Sequence, residues 1–225
     1  MEEQLHVSAL YDLEHTRAAE LLGSVTYPWE ALPQIKDFIL KIGPTLGEDF
    51  VLRSENVWVH KTAVIYETAY IAGPCIIDAG TEVRPGAFIR GSALIGRDCV
   101  VGNSTEVKNA IIFDNVQVPH YNYVGDSVLG YRSHMGAGSI TSNVKSDKTL
   151  VVVKEHDESG DLEIETGLKK IGAMLGDYVE VGCNSVLNPG TVIGRHTNVY
   201  PLSPVRGYIP ENSIVKTGNV IVTKK

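Results

Sequence analysis

The sequence predicts an all-β protein: a parallel β-helix of hexapeptide repeats with a short N-terminal helical cap and an inserted β-arm. Three observations carry that prediction. Counting in sixes from Val59 gives Val59, Ile65, Ile71, Ile77, Val83, Ile89, Ile95, Val101 and Val107, aliphatic at every step. Four residues after each of the first eight stands a small one: Ala63, Ala69, Cys75, Thr81, Ala87, Ala93, Cys99 and Thr105. Gly, Asn or Asp falls where the chain must turn, as in Ile95-Gly-Arg-Asp, Val101-Gly-Asn and Val181-Gly-Cys-Asn. A helix has no period of six, and a plain strand alternates every two residues. A strict hexad therefore describes short strands and turns coiling about one axis, each rung supplying core for its neighbours.

Residues 1–50 lack the hexad. Ala9 to Leu22 is rich in Leu, Ala, Glu and Arg and predicts a helix. Pro28-Trp29-Glu30 opens a second, with Ile35, Phe38, Ile39 and Ile42 on one face and Gly43 as its stop. Together they predict a cap over the first coil, because the end of a solenoid must be covered. Residues 51–225 form the β-helix domain. Its phase holds to Phe113, loses one residue, resumes at Val118 and Val124, loses another, and continues at Leu129 and Met135. Residues 144–170 interrupt it. Lys148–Val153 reads as a strand, Lys154–Asp161 as a polar turn and Leu162–Ile164 as the returning strand. Such insertions tend to fall on the binding face of repeat proteins, so this arm is expected to border a site. The ladder returns at Leu175, Val181, Leu187, Ile193 and Val199, with Ser185, Thr191 and Thr197 in the small slot.

The 225 residues carry a formal charge of −7, which argues against nucleic acid or an anionic membrane as the main partner. No apolar run is long enough to span a bilayer, and the acidic start MEEQ is unlike a signal peptide, so a cytoplasmic protein is expected. Cys75 and Cys99 occupy the slot filled elsewhere by Ala and Thr, and read as small core residues in a reducing compartment. The histidines show no metal-ligand spacing, and no metal is predicted. No glycine-rich nucleotide loop occurs in residues 1–50, so nucleotidyl transfer is not expected of this chain.

Chemistry should come from residues outside the inward column. His120 is one, in Val118-Pro-His-Tyr-Asn-Tyr-Val-Gly-Asp, and its ordinary pKa of about 6.5 suits proton removal near neutrality. Arg84 and Lys108 directly follow inward residues and should project from the coil. They suit a phosphorylated substrate, Arg by a two-pronged contact and Lys as a point charge, or else are two solvated charges.

Four ordered motifs then carry a resemblance: Val83-Arg-Pro-Gly-Ala, Val101-Gly-Asn-Ser-Thr-Glu-Val-Lys-Asn, His120-Tyr-Asn-Tyr-Val-Gly-Asp and Met135-Gly-Ala-Gly-Ser-Ile-Thr-Ser-Asn. Over roughly residues 55–200 the chain resembles the acetyltransferase half of the bifunctional enzymes that make UDP-N-acetylglucosamine. Thr166-Gly-Leu-Lys-Lys-Ile-Gly-Ala-Met-Leu-Gly-Asp resembles the archaeal sugar-phosphate branch of that group. The resemblance implies a left-handed β-helix, a homotrimer with sites between subunits, and acetyl transfer from acetyl-CoA to the amine of a hexosamine 1-phosphate. It makes His120 the general base, with Arg84 and Lys108 on the sugar phosphate and Tyr123 beside the sugar. Asn143 falls near the amine and acetyl group, and Ala137 and Gly138 lie in the strip lining the thioester. His134 stands at a sugar-contacting position where the family usually has asparagine, and Lys148 or Lys145 would fill a further lysine role.

Glucosamine 1-phosphate is the expected acceptor. The alternatives are another amino sugar such as galactosamine 1-phosphate, or a non-catalytic β-helix scaffold or ligand-binding protein. A metal-dependent lyase of carbonic-anhydrase type ranks last, since the close pair of histidines that family uses is missing.

Overall fold

The computed structural model describes residues 2–154, 163–218 and 220–224. It is a β-solenoid of about eight turns, consistent with a left-handed parallel β-helix. One coil takes three hexads. On the first face Val57 aligns with Cys75, Cys75 with Ala93, Ala93 with Ala110 and Ala110 with Ser127, steps of 18, 18, 17 and 17 residues. The second face stacks Glu82, Val100, Gln117, His134, Glu180 and Asn198. The third stacks Tyr70, Phe88, Glu106, Tyr123, Ile140 and Val186.

The aliphatic column packs inside as expected, with Ile77, Val83, Ile89, Ile95, Val101 and Val107 all fully buried. The first slip lies elsewhere than the hexads suggest. Ile112, not Phe113, aligns with Ile95, so the residue is lost at the corner between Val107 and Ile112. Phe113 turns outward against Tyr11, ring centroids 5.1 Å apart. The second slip is at the same corner one coil later, between Val124 and Leu129. Corners are turned by residues at positive φ, among them Asp98, Asn109, Asp126 and Asn184. At Val101-Gly-Asn that residue is Ser104 (φ 55), one beyond the expected asparagine.

The N-terminal segment differs from expectation in form and place. Ala9–Leu22 is not one helix but the short pieces Val7–Leu10, Leu13–His15 and Ala19–Gly23, with Tyr11 and Thr16 extended between them. Tertiary hydrogen bonds override helix propensity here. Asp177 N–H donates to the Leu10 carbonyl and Asp114 N–H to that of His15, both at 3.0 Å. Leu13 is preceded by Asp12, whose carboxylate accepts from Glu14 N–H. The second helix forms as Ile35–Ile42 after a 3-10 turn Pro28–Gln34, burying Ile35, Phe38 and Ile39.

Rather than capping the first coil, this segment is a strap along the first face. It runs from Gln4, bonded to Tyr208 near the last coil, past Asp177 and Asp114 to Arg17, paired with Asp78, and on to Gly43. A Cβ on Gly43 would sit 2.5 Å from the Trp58 ring, so only glycine fits there. Beneath the strap the alternate residues Ile76, Leu94, Ile111, Val128, Met174 and Val192 are at most 1% exposed. At each end of the solenoid one face is extended by an antiparallel strand, Phe50–Ser54 on Val57–His60 in the first face and Val220–Thr223 on Ser213–Lys216 in the second.

The arm leaves at Asn143, and Ile171 N–H returns to the Asn143 carbonyl at 3.1 Å. Its strands are Val152–Lys154 and Glu163–Glu165, antiparallel. Most of the expected turn (155–161) and Leu162 lie outside the described residues. Val151 and Val153 are fully buried. Cys75 and Cys99 are core residues as expected, and burial pushes the Cys99 thiol up to about 12.

Candidate active site

The expected site residues divide between two corners that flank the third face. At the corner before it stand Arg84, His120, Ala137 and Gly138. His120 ends the strand Gln117–His120, aligned with Asn103, and is exposed. Among the described residues its ring has no hydrogen-bond partner. Its backbone is fixed on both sides: its N–H donates to Asn122 Oδ1 at 3.1 Å, and its carbonyl accepts from Gly138 N–H at 3.0 Å. His120, the expected base, and the Ala137–Gly138 strip, the expected thioester lining, are therefore neighbours on successive coils. Arg84 is not free. Its guanidinium donates twice to Glu82 at 3.0 and 2.9 Å, which holds the Glu82 carboxyl below its usual range.

Lys108 and Asn143 lie at the corner after the third face, the one shortened by both slips. Lys108 Nζ is 3.4 Å from both oxygens of Asp126. Asn143 Nδ2 donates to Asp126 and, at 3.2 Å, to Tyr123 Oη. Tyr123 lies over Gly125, where a Cβ would come within 2.5 Å of its hydroxyl. Its pKa is raised, by burial first and then by the charges of Asp126 and Glu106. About three strand residues, roughly 10 Å, separate the two corners. A single chain thus does not bring His120 into contact with Lys108 and Asn143.

His134 faces a third place, the second face. Its Nδ1 is 2.9 Å from Glu180 Oε2. The pair lines a groove of about 430 Å³ with Gln117, Arg132 and Tyr178. Lys148 is exposed on the arm and makes no side-chain contact with the other site residues, whereas Lys145 Nζ bonds Thr149 at 2.6 Å. Sequence reading did not single out Asp126, Glu82 or Glu180. Only Asp126 left a trace there, as the last residue of the His120 motif. Among the described residues no three His, Cys, Asp or Glu side chains are placed to share a metal ion. No helix among them is long and apolar enough to cross a membrane.

Coil, corners and site residues define a hexapeptide-repeat β-helix protein with polar residues at the two rims of one face. The family model for the GMPPB C-terminal domain matches residues 71–199, and the chain belongs to that family. It is similar to the bifunctional protein GlmU of Methanococcus maripaludis, 32% identical over 223 residues that cover 96% of this chain and 53% of that protein. It is also similar to a bifunctional sugar-1-phosphate nucleotidylyltransferase/acetyltransferase of Sulfurisphaera tokodaii, 33% identical over 68% of this chain and 37% of that protein. The chain spans about half the length, or less, of these relatives.

Proposed function

We propose that this chain is a sugar-phosphate acetyltransferase. It moves the acetyl group of acetyl-CoA to the amine of a hexosamine 1-phosphate, with glucosamine 1-phosphate the first candidate. The observation that carries this reading is the exposed, unengaged His120 ring beside the Ala137–Gly138 strip, tied to it by the Gly138-to-His120 hydrogen bond of 3.0 Å. The names of the relatives, an acetyltransferase among them, point the same way.

An amine attacks a thioester only as the free base. His120 takes its proton as the C–N bond forms and the C–S bond breaks, and the proton leaves with the CoA thiol. Gly138 N–H is already engaged by the His120 carbonyl. That leaves the Ala137 N–H as the donor this strip offers to the developing oxyanion. Lys108 and Arg84 hold the sugar phosphate, Tyr123 packs beside the sugar, and His134 contacts it from the second face. Lys148, exposed on the arm, or Lys145 takes the further lysine role.

Because the two corners lie on opposite rims of one face, the complete site needs a second copy. The homotrimer supplies it, and the exposed Tyr70 and Phe88 of the third face, 64% and 40% accessible, are suited to such contact. The carboxylate partners of Arg84 and Lys108 favour the second reading, a scaffold whose cations are internally neutralised. Free-thiol release from acetyl-CoA decides between them, run against glucosamine 1-phosphate and galactosamine 1-phosphate. Release with either supports the enzyme and identifies the sugar; none with any amino sugar leaves the scaffold.

A further inference from the structure

We propose that Asp126 is the positioning residue of this site, one buried carboxylate that sets the orientation of Asn143 and moderates the charge of Lys108. The inference deepens the acetyl-transfer reading and rests on it for its kinetic part.

Three side chains from neighbouring coils converge on a carboxylate whose residue is 4% exposed. Asn109 donates to Oδ1 at 2.8 Å, Asn143 donates to Oδ2, and Lys108 approaches both oxygens at 3.4 Å. The Asp126 carbonyl also accepts Gly172 N–H at 2.8 Å, where the chain returns from the arm. The turn itself does not call for a charge. Asp126 has φ 48, and one coil earlier Asn109 turns the same corner at φ 49. Asparagine would therefore satisfy the backbone, while a buried carboxylate is unfavourable unless donors surround it.

The carboxylate has two consequences that asparagine would not supply. It can only accept hydrogen bonds, so it fixes the Asn143 amide with Nδ2 toward Asp126 and leaves Oδ1 to face outward. An outward carbonyl oxygen is the group that receives an amine N–H. It also holds Lys108 in place while offsetting part of its charge, so that a sugar phosphate is bound and released instead of retained.

Asp126→Asn in the full chain tests this, because the side chain keeps its size and its tolerance of the turn. Calorimetric titration with glucosamine 1-phosphate should show binding about fivefold tighter than wild type, the effect of freeing one partly exposed cation from its partner. Turnover should fall about tenfold or more, since Asn143 can now flip. A residue needed only for the turn would move neither quantity. Adding Lys108→Ala should abolish the gain in binding. Unchanged binding and turnover in the variant, a gain that survives Lys108→Ala, or no binding by either protein would overturn the proposal. If wild type binds the sugar phosphate but releases no CoA thiol, the acetyl-transfer reading fails, and the binding comparison still decides the role of Asp126.

Discussion

The first and third faces are made partly from the same strands. Glu106–Ile112 and Tyr123–Leu129 each begin on the third face and finish on the first. On the first, both side-chain rows are buried, the inner by the solenoid and the outer by the strap, and both are apolar apart from Ser127 and Thr191 in the inner row. On the third only the inner row is buried, while Tyr70 and Phe88 stand outside, with site residues at both rims. The hexad therefore specifies the inner row alone. What covers the outer row decides whether a face serves stability or contact.

Placing the same charge on each outer row should have unequal consequences on the two faces. Ile111→Asp puts a carboxylate at a position with 0% exposure beneath the strap. It should cost about 4 kcal/mol or more and leave little folded protein. Phe88→Asp should change the stability of the isolated chain by only about 0.5 kcal/mol. If a second copy covers the third face, Phe88→Asp should also dissociate the assembly, read by analytical ultracentrifugation. Equal losses of thermal stability in both variants would erase the distinction between the faces.

Next in size is His120→Ala, expected to lower turnover about a hundredfold while leaving the melting temperature unchanged. Unaltered turnover in the folded variant would remove the base assignment. Gly125→Ala should do less. Its new Cβ meets the far end of the Tyr123 side chain, 2.5 Å from the hydroxyl, not backbone, so the ring should turn aside with little loss of stability. The Tyr123–Asn143 contact would be lost, and the KM for the sugar phosphate should rise severalfold, an effect on the rim without one on the core. A large fall in melting temperature would instead make Tyr123 part of the packing.

Much of the first face is legible in the sequence. Ile76, Leu94, Ile111, Val128, Met174 and Val192 each directly precede an inward aliphatic residue. A second apolar row outside a closed coil implies a cover, and the Leu- and Ile-rich N-terminus was available to provide it. Its breaks were not legible, because the Leu10 and His15 carbonyls are taken by Asp177 and Asp114, far away in sequence. At the site, the adjacency of His120 to Ala137 and Gly138 follows from coil register, 17 residues separating His120 from Ala137 on the next coil. The Arg84–Glu82 pair could have been inferred from strand alternation, which puts residues two apart on one side. The Lys108–Asp126 pair depends on the shortened corner, and the hexad count placed that slip after Phe113, one element too late.

The smallest effect concerns how dry the seam under the strap is. Asp114, whose N–H holds His15, has its carboxyl pKa raised from 3.8, chiefly by burial and against the hydrogen bond from Arg97 N–H. A folded pKa above the unfolded one means that the native state binds this proton more tightly than the open chain. The resulting stability is fully present below pH 3.8 and is lost as pH rises through the raised value. Asp114→Asn retains an acceptor for Arg97 N–H and removes the titration. Melting curves of the two proteins from acid to neutral pH should show wild type losing ground to the variant on the way up. A difference that grows in favour of wild type as pH rises would mean that the bonds to the charged form outweigh burial. The seam would then be held by charge, and the first face would owe its closure to more than its apolar outer row.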